Sequence, residues 1–192
     1  MTIDRIPFLK GKLVHLCVPR KEDMAHIVQW FNDPSILQFL ASREPATLEA
    51  EMEWYDRVTK SQPHQRDFVF FLETKADKQL IGTMGLHGIN YRTQVGSTGA
   101  AIGHHAAHGK GYGTDAKMQL LHWAFTELNL RKVVSNVLSA NPRSLRYLEK
   151  TGYKVVGTRK KHSLFQGSFV DEHILEVFKE DFMPLWDAYQ ST

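Results

Sequence analysis

Along the chain, apolar and polar positions fall into blocks whose period switches between two and about 3.6 residues, the marks of strands and helices. Residues 11–18 are rich in β-formers and stop at Pro19, which predicts a strand. Residues 20–32 place Met24, Ile27, Val28 and Phe31 at helical spacing, and Asp33-Pro34 ends that helix. Over residues 47–60, Leu48, Met52, Tyr55 and Val58 form an apolar stripe on a second, acidic helix. Residues 67–74 and 79–88 predict two strands joined by a turn, and residues 95–103 a third, rich in Gly and Ala. The clearest helix covers residues 114–128, with Met118, Leu121, Phe125 and Leu128 on one face. A strand at 132–139 follows, then a short helix at 142–151 with Pro142 in its first turn and Gly152 at its C-terminal end. Residues 153–161 and 169–178 predict the last two strands, turning around Gln166-Gly167. The order β-α-α-β-β-β-α-β-α-β-β predicts an α/β domain with a mixed sheet of about seven strands and helices on its faces.

Composition narrows the class. The chain has 192 residues, 42% of them apolar and 23% charged, which suits one soluble globular domain spanning residues 1–192. The apolar run at residues 68–72 is too short to cross a bilayer, and the N-terminus lacks a secretory h-region. A single cysteine, Cys17, excludes an internal disulfide and fits a reducing, cytoplasmic setting. A net charge of +3 is too small to argue for nucleic acid. Apolar residues at 182–186 would pack on a neighbouring copy, as in a homodimer, or inside the chain.

The segment richest in chemistry is residues 108–116, HGKGYGTDA, between a strand and the strongest helix. Alternating glycines allow a tight turn and expose backbone N–H groups at a helix N-terminus, an arrangement suited to phosphate or pyrophosphate. A nucleoside-triphosphate loop needs Gly-Lys followed by Ser or Thr, and no such triplet occurs here. Gly111, Gly113 and Ala116 satisfy a dinucleotide fingerprint, but the preceding strand ends near Gly103 and the next strand, KVVSNVLS, lacks the required acid.

Residues 98–116 instead resemble the acyl-CoA-binding segment of the GNAT superfamily of N-acetyltransferases, [Q/R]-x-x-G-x-[G/A]. Gly111 and Gly113 fit it, and His108 stands at the Gln/Arg position. Residues 141–153, NPRSLRYLEKTGY, resemble the family's Asn-led helix. Trp30-Phe31-Asn32-Asp33-Pro34 is similar to an element of the branch containing ribosomal-protein Nα-acetyltransferases and polyamine acetyltransferases. The resemblance implies a mostly antiparallel central sheet and acetyl transfer from acetyl-CoA to a primary amine: a protein N-terminus, a polyamine or another small amine. It also implies that Ala101, Ile102 and Gly103 offer backbone groups to pantetheine, and that His108, Gly109, Lys110, Gly111, Tyr112, Gly113 and Thr114 hold the pyrophosphate. Asn141 and Ser144 would face the pantetheine arm, and Lys150 the 3′-phosphate.

Two departures from the family pattern bear on mechanism. Leu148 stands where many members carry a Tyr acid, and Ser97 where many carry a Glu base. Tyr147 lies one residue off, about 100° around the helix, and is expected to face elsewhere. Ser144 becomes the donor to sulfur, and His87 a candidate base. Without the usual pair, a non-catalytic acyl-CoA-binding module is the alternative. His104, His105 and His108 cluster beside the loop, but no Cys or paired carboxylate accompanies them, so no metal site is expected. Glu44, Glu49, Glu51, Glu53 and Asp56 would form an acidic lip for a cationic acceptor. Trp30 and Trp54 are either core or the acceptor's apolar wall.

Overall fold

A computed structural model describes residues 4–40, 44–60 and 65–191. Eight strands form one sheet: β1 (Pro7–Lys10), β2 (Val14–Cys17), β3 (Phe68–Thr74), β4 (Leu80–Asn90), β5 (Val95–Ile102), β6 (Lys132–Leu138), β7 (Lys154–Phe165) and β8 (Ser168–Phe178). Their spatial order is β1-β2-β3-β4-β5-β6-β8-β7. Only β5 and β6 run parallel; every other neighbouring pair is antiparallel.

Each helix takes its place from a short sequence signal. α1 (Met24–Phe31) buries Met24, Ile27 and Trp30. Asp33 does not merely end α1: its carboxylate accepts from the Ser35 amide and, with Pro34 at the first position, starts a further turn, α2 (Pro34–Leu37). α3 (Leu48–Thr59) is capped by Thr47. α4 (Tyr112–Thr126) is the main core helix, α5 (Pro142–Lys150) begins at the Asn141 cap, and α6 (Lys179–Ser191) closes the chain.

The sheet separates two apolar clusters. Leu120, Leu121, Phe125, Leu86, Val133 and Phe182 pack between α4, α6 and one face. Trp123 takes Phe8, Phe68 and Phe70 edge-on, with centroids 5.5, 5.0 and 5.7 Å away. Met24, Ile27, Trp30, Ile36 and Phe71 pack between α1–α3 and the other face. Of the C-terminal apolar residues, Phe182 is buried against Phe125 and Trp186 stacks on His122 at 4.0 Å, while Leu185 is exposed. β1 and α6 extend the predicted order; β1 is too short for its period to register.

Candidate active site

The sheet opens between β5 and β6. Their ladder runs from Val95↔Lys132 to Ser97↔Val134, and Ser135 Oγ then donates to the Thr98 carbonyl at 3.1 Å. β6 continues on β8 as far as Leu138↔Glu172, while β5 continues on β4 to Gly82↔Ile102. The two strands diverge beyond that last bridge, and Gly99 to Ile102 and Asn136 to Leu138 become walls of a cleft of about 1150 Å³. The cleft passes through the sheet, from α4 and α5 on one side to α1–α3 on the other.

At one end lies the glycine loop. Gly109 and Gly111 have φ of 75° and 84°, the left-handed region that a side chain resists. Gly111 is the N-cap of α4 and makes no side-chain capping bond, which leaves first-turn amides for an anion. A Cβ on Gly113 would meet open space. Asp115, also in the first turn, points away: its carboxylate accepts from the Lys12, Leu13 and Val14 amides at 2.9–3.0 Å and fixes the helix start to the β1–β2 turn. These features fit a diphosphate.

α5 supplies the opposite wall. Asn141 accepts from the Ser144 amide at 3.1 Å, and Arg143, Ser144, Arg146, Tyr147 and Lys150 line the cleft. Leu148 is buried in the core instead. The expectation for Tyr147 is thus corrected: Ser144 and Tyr147, three residues apart, share the cleft face because Leu145 and Leu148 claim the inward one. Burial pushes the Tyr147 phenol upward. Arg143 and Arg146 went unread; their spacing with Lys150 puts three cations along one helix face.

His108 closes the loop end. Its Nε2 lies 2.8 Å from the Ile102 carbonyl and so must donate, which leaves Nδ1 to accept from Arg143 at 3.0 Å. Desolvation holds this imidazole below its usual range, in keeping with the neutral form. His105 turns outward to Asp33 at 2.7 Å, which holds that carboxyl down to about 2. Among the described residues, no group of three His, Cys, Asp or Glu is placed to hold a metal.

Two residues expected in the coenzyme site lie outside the cleft wall. The Gly103 amide donates to the Ile81 carbonyl at 2.9 Å, and Trp30 fills the space a Gly103 side chain would need. Lys110 is exposed and does not border the cleft. Ala101, Ile102, His108, Gly109, Gly111, Tyr112, Gly113, Thr114, Asn141, Ser144 and Lys150 all border the cleft, as does His87.

His87 sits on β4 opposite Ser97, with its ring over Gly85, where only a missing side chain leaves room. Nδ1 is 3.5 Å from Asp67, and Nε2 is the ring nitrogen nearer Gly85. Burial lowers the imidazole pKa against the pull of Asp67, which favours a neutral, proton-accepting ring at neutral pH. Around it, Phe31, Phe39, Leu40, Trp54 and Val69 form an apolar lobe. The acidic lip is not found there. α3 contributes Trp54 to the wall, while Glu44, Glu49 and Glu53 are exposed, Glu51 is half-buried without bordering the cleft, and Asp56 pairs with Lys21 at 3.2 Å. The carboxylate in the lobe is Glu172 of β8, held by Arg159 at 2.6 Å.

Known proteins share this architecture. A family model for the acetyltransferase (GNAT) domain matches residues 14–154. A probable N-acetyltransferase of Bacillus subtilis, YjcK, is 30% identical over 132 residues, 67% of this chain and 69% of its own. The spermidine N-acetyltransferase of Vibrio cholerae, solved with CoA and spermine, superposes with a TM-score of 0.80 at 23% identity, covering 88% of this chain and 98% of that one. A GNAT-family acetyltransferase of Bacillus anthracis superposes at 0.76 with 17% identity, covering 90% and 98%. The chain belongs to the GNAT superfamily and is an N-acetyltransferase, with the fold found in spermidine N-acetyltransferases.

Proposed function

We propose that this enzyme transfers an acetyl group from acetyl-CoA directly to a primary amine, the two substrates approaching from opposite faces of the sheet. The observation that carries this reading is the continuous cleft. It joins a phosphate cradle to a separate apolar lobe through the gap between β5 and β6. His108, Gly109 and residues 111–114 hold the diphosphate, with Arg143, Arg146 and Lys150 adding positive charge beside it. The gap receives the pantetheine arm, and backbone groups of Ala101 and Ile102 face it. Asn141 keeps its amide N–H donors for that arm, since its side-chain oxygen is spent on the cap.

The thioester supplies the activated acetyl group. His87 accepts the proton that the amine must lose, as its neutral ring and Asp67-oriented Nδ1 allow. Ser144 and Tyr147 present hydroxyl donors from α5 to the departing sulfur. Holding both substrates on one line through the sheet supplies a proximity advantage that needs no covalent enzyme intermediate. The test is CoA-thiol release from acetyl-CoA over a panel of amines, with mass spectrometry of the product. Stoichiometric acetylated amine is expected; acetyl-CoA binding without transfer to any amine would identify a coenzyme-binding module instead.

A further inference from the structure

A polyamine bound in a cleft brings several ammonium groups out of water, and each needs a carboxylate or comparable partner. The acceptor lobe is poorly equipped for that. Among the described residues lining the cleft, Glu172 carries the only carboxylate, and Arg159 already holds it at 2.6 Å. His162 approaches the same carboxylate at 3.8 Å. None of the α3 acids borders the cleft, the half-buried Glu51 included.

What the lobe does offer is aromatic and aliphatic surface. Phe31, Phe39, Leu40, Trp54, Val69 and Leu164 surround it, drawn from α1, the α2 region, α3, β3 and β7. It is also bridged. The β7–β8 hairpin reaches across to α2, where Phe165 stacks on Phe39 at 5.5 Å and Gln166 Nε2 donates to Gln38 Oε1 at 2.9 Å. Gln166 and Gly167, with φ of 47° and 80°, make the tight turn that allows this reach. Phe39 and Leu164, beside this bridge, line the cleft.

We infer that the acceptor is a primary monoamine carried on a compact apolar or aromatic body. This inference rests on the proposed amine acetylation and adds the class of amine. The ring or alkyl group fills the lobe between Trp54 and Leu164, and the single amine points to His87 and the gap between β5 and β6. Burial of the body against these side chains supplies the affinity, and the lack of an unengaged carboxylate among the described lining residues disfavours a second ammonium.

The experiment measures CoA release at low salt with 2-phenylethylamine, hexylamine, spermine and a hexapeptide with a free, apolar N-terminal residue. 2-Phenylethylamine should exceed spermine and the peptide in kcat/KM by about tenfold or more. Trp54→Ala should raise KM for 2-phenylethylamine about tenfold and leave KM for acetyl-CoA within about twofold. Leu164→Glu, on the exposed hairpin, adds a carboxylate to the lobe without touching the core. It should lower kcat/KM for 2-phenylethylamine and raise it for spermine. Equal or better use of spermine or the peptide by the unaltered enzyme would overturn this inference while leaving amine acetylation standing. Acetyl-CoA binding in calorimetry with no amine acetylated would overturn both.

Discussion

Lys117 gives the sharpest energetic expectation. It lies in α4, fully buried, and its Nζ has no hydrogen-bond partner among the described residues. The rings of Tyr147 and Tyr153 lie 5.8 and 5.9 Å from it. Burial pulls the ammonium from 10.5 down to about 7. In the unfolded chain the amine keeps its proton up to about 10.5, so between the two values the unfolded state binds more protons than the folded one. Stability therefore rises with pH over that window, by about 1.4 kcal/mol per unit, and is flat below it. The buried amine costs about 4 kcal/mol at about pH 7 and about a third of that at about pH 9.5. Lys117→Met keeps the length of the stem and removes the titrating group. The variant should be more stable by about 4 kcal/mol near neutrality, or about 8–16 °C in Tm for a chain of this size. The gap should shrink by about two-thirds at about pH 9.5. Calorimetric melts of both proteins across that range decide it. A variant within about 2 °C of wild type at neutral pH, or a gap that does not narrow as pH rises, would refute a buried, unpaired amine.

Other consequences bear on the cleft. Gly113→Glu places a carboxylate in open space at a φ outside the left-handed region, so acetyl-CoA binding should disappear in calorimetry while Tm stays within about 2 °C; retained binding would remove the phosphate site from the loop. Ser144→Ala and Tyr147→Phe should each lower kcat about ten- to a hundredfold with little change in KM for acetyl-CoA, if each hydroxyl donates to the sulfur; a rate within about twofold of wild type clears that residue of the role. For His87, kcat/KM should fall with acid through a pKa below 6.5, because burial lowers it. His87→Gln should lose about a hundredfold in rate together with that acidic limb, and a limb surviving in the variant would assign it to another group.

The hydrophobic period made the long elements legible. Met118, Leu121 and Phe125 face the core as their spacing requires, and the glycine loop declared itself because a left-handed Gly111 and an open Gly113 leave a visible pattern. The same period misleads at Lys117, since a lysine inside an apolar helix is ordinarily read as solvent-facing. α5 was readable in retrospect: Leu145 and Leu148 pointing inward force Ser144 and Tyr147 toward the cleft. For α3, charge alone could not say which face fronts the site. Thr47 caps the helix, and Met52 and Tyr55 pack on the second core, which brings Trp54 to the wall and leaves Glu49 and Glu53 in solvent. The bridge from Phe39 to Phe165 joins residues 126 apart in sequence, beyond the reach of any local pattern.

The gap between β5 and β6 is what lets the proposed substrate sites lie on opposite faces. A parallel pair that stays closed buries its backbone groups in the ladder. Here the ladder stops at Ser97↔Val134, and the Ser135 hydroxyl, not a backbone amide, serves the Thr98 carbonyl. Beyond that bridge both strands keep their outer neighbours, β4 and β8, so the sheet holds together while its middle is parted. The strand edges so exposed match an extended, amide-bearing arm, since it can pair with them as a strand would. The face beneath α4 and α5 carries the cations and the glycine loop, and the face beneath α1–α3 carries the aromatic lobe, where Glu172, already engaged, is the one carboxylate among the described residues lining the cleft. In the reaction proposed above, that contrast would set a charged coenzyme on one side and an apolar amine on the other, with transfer confined to the parted strands between them.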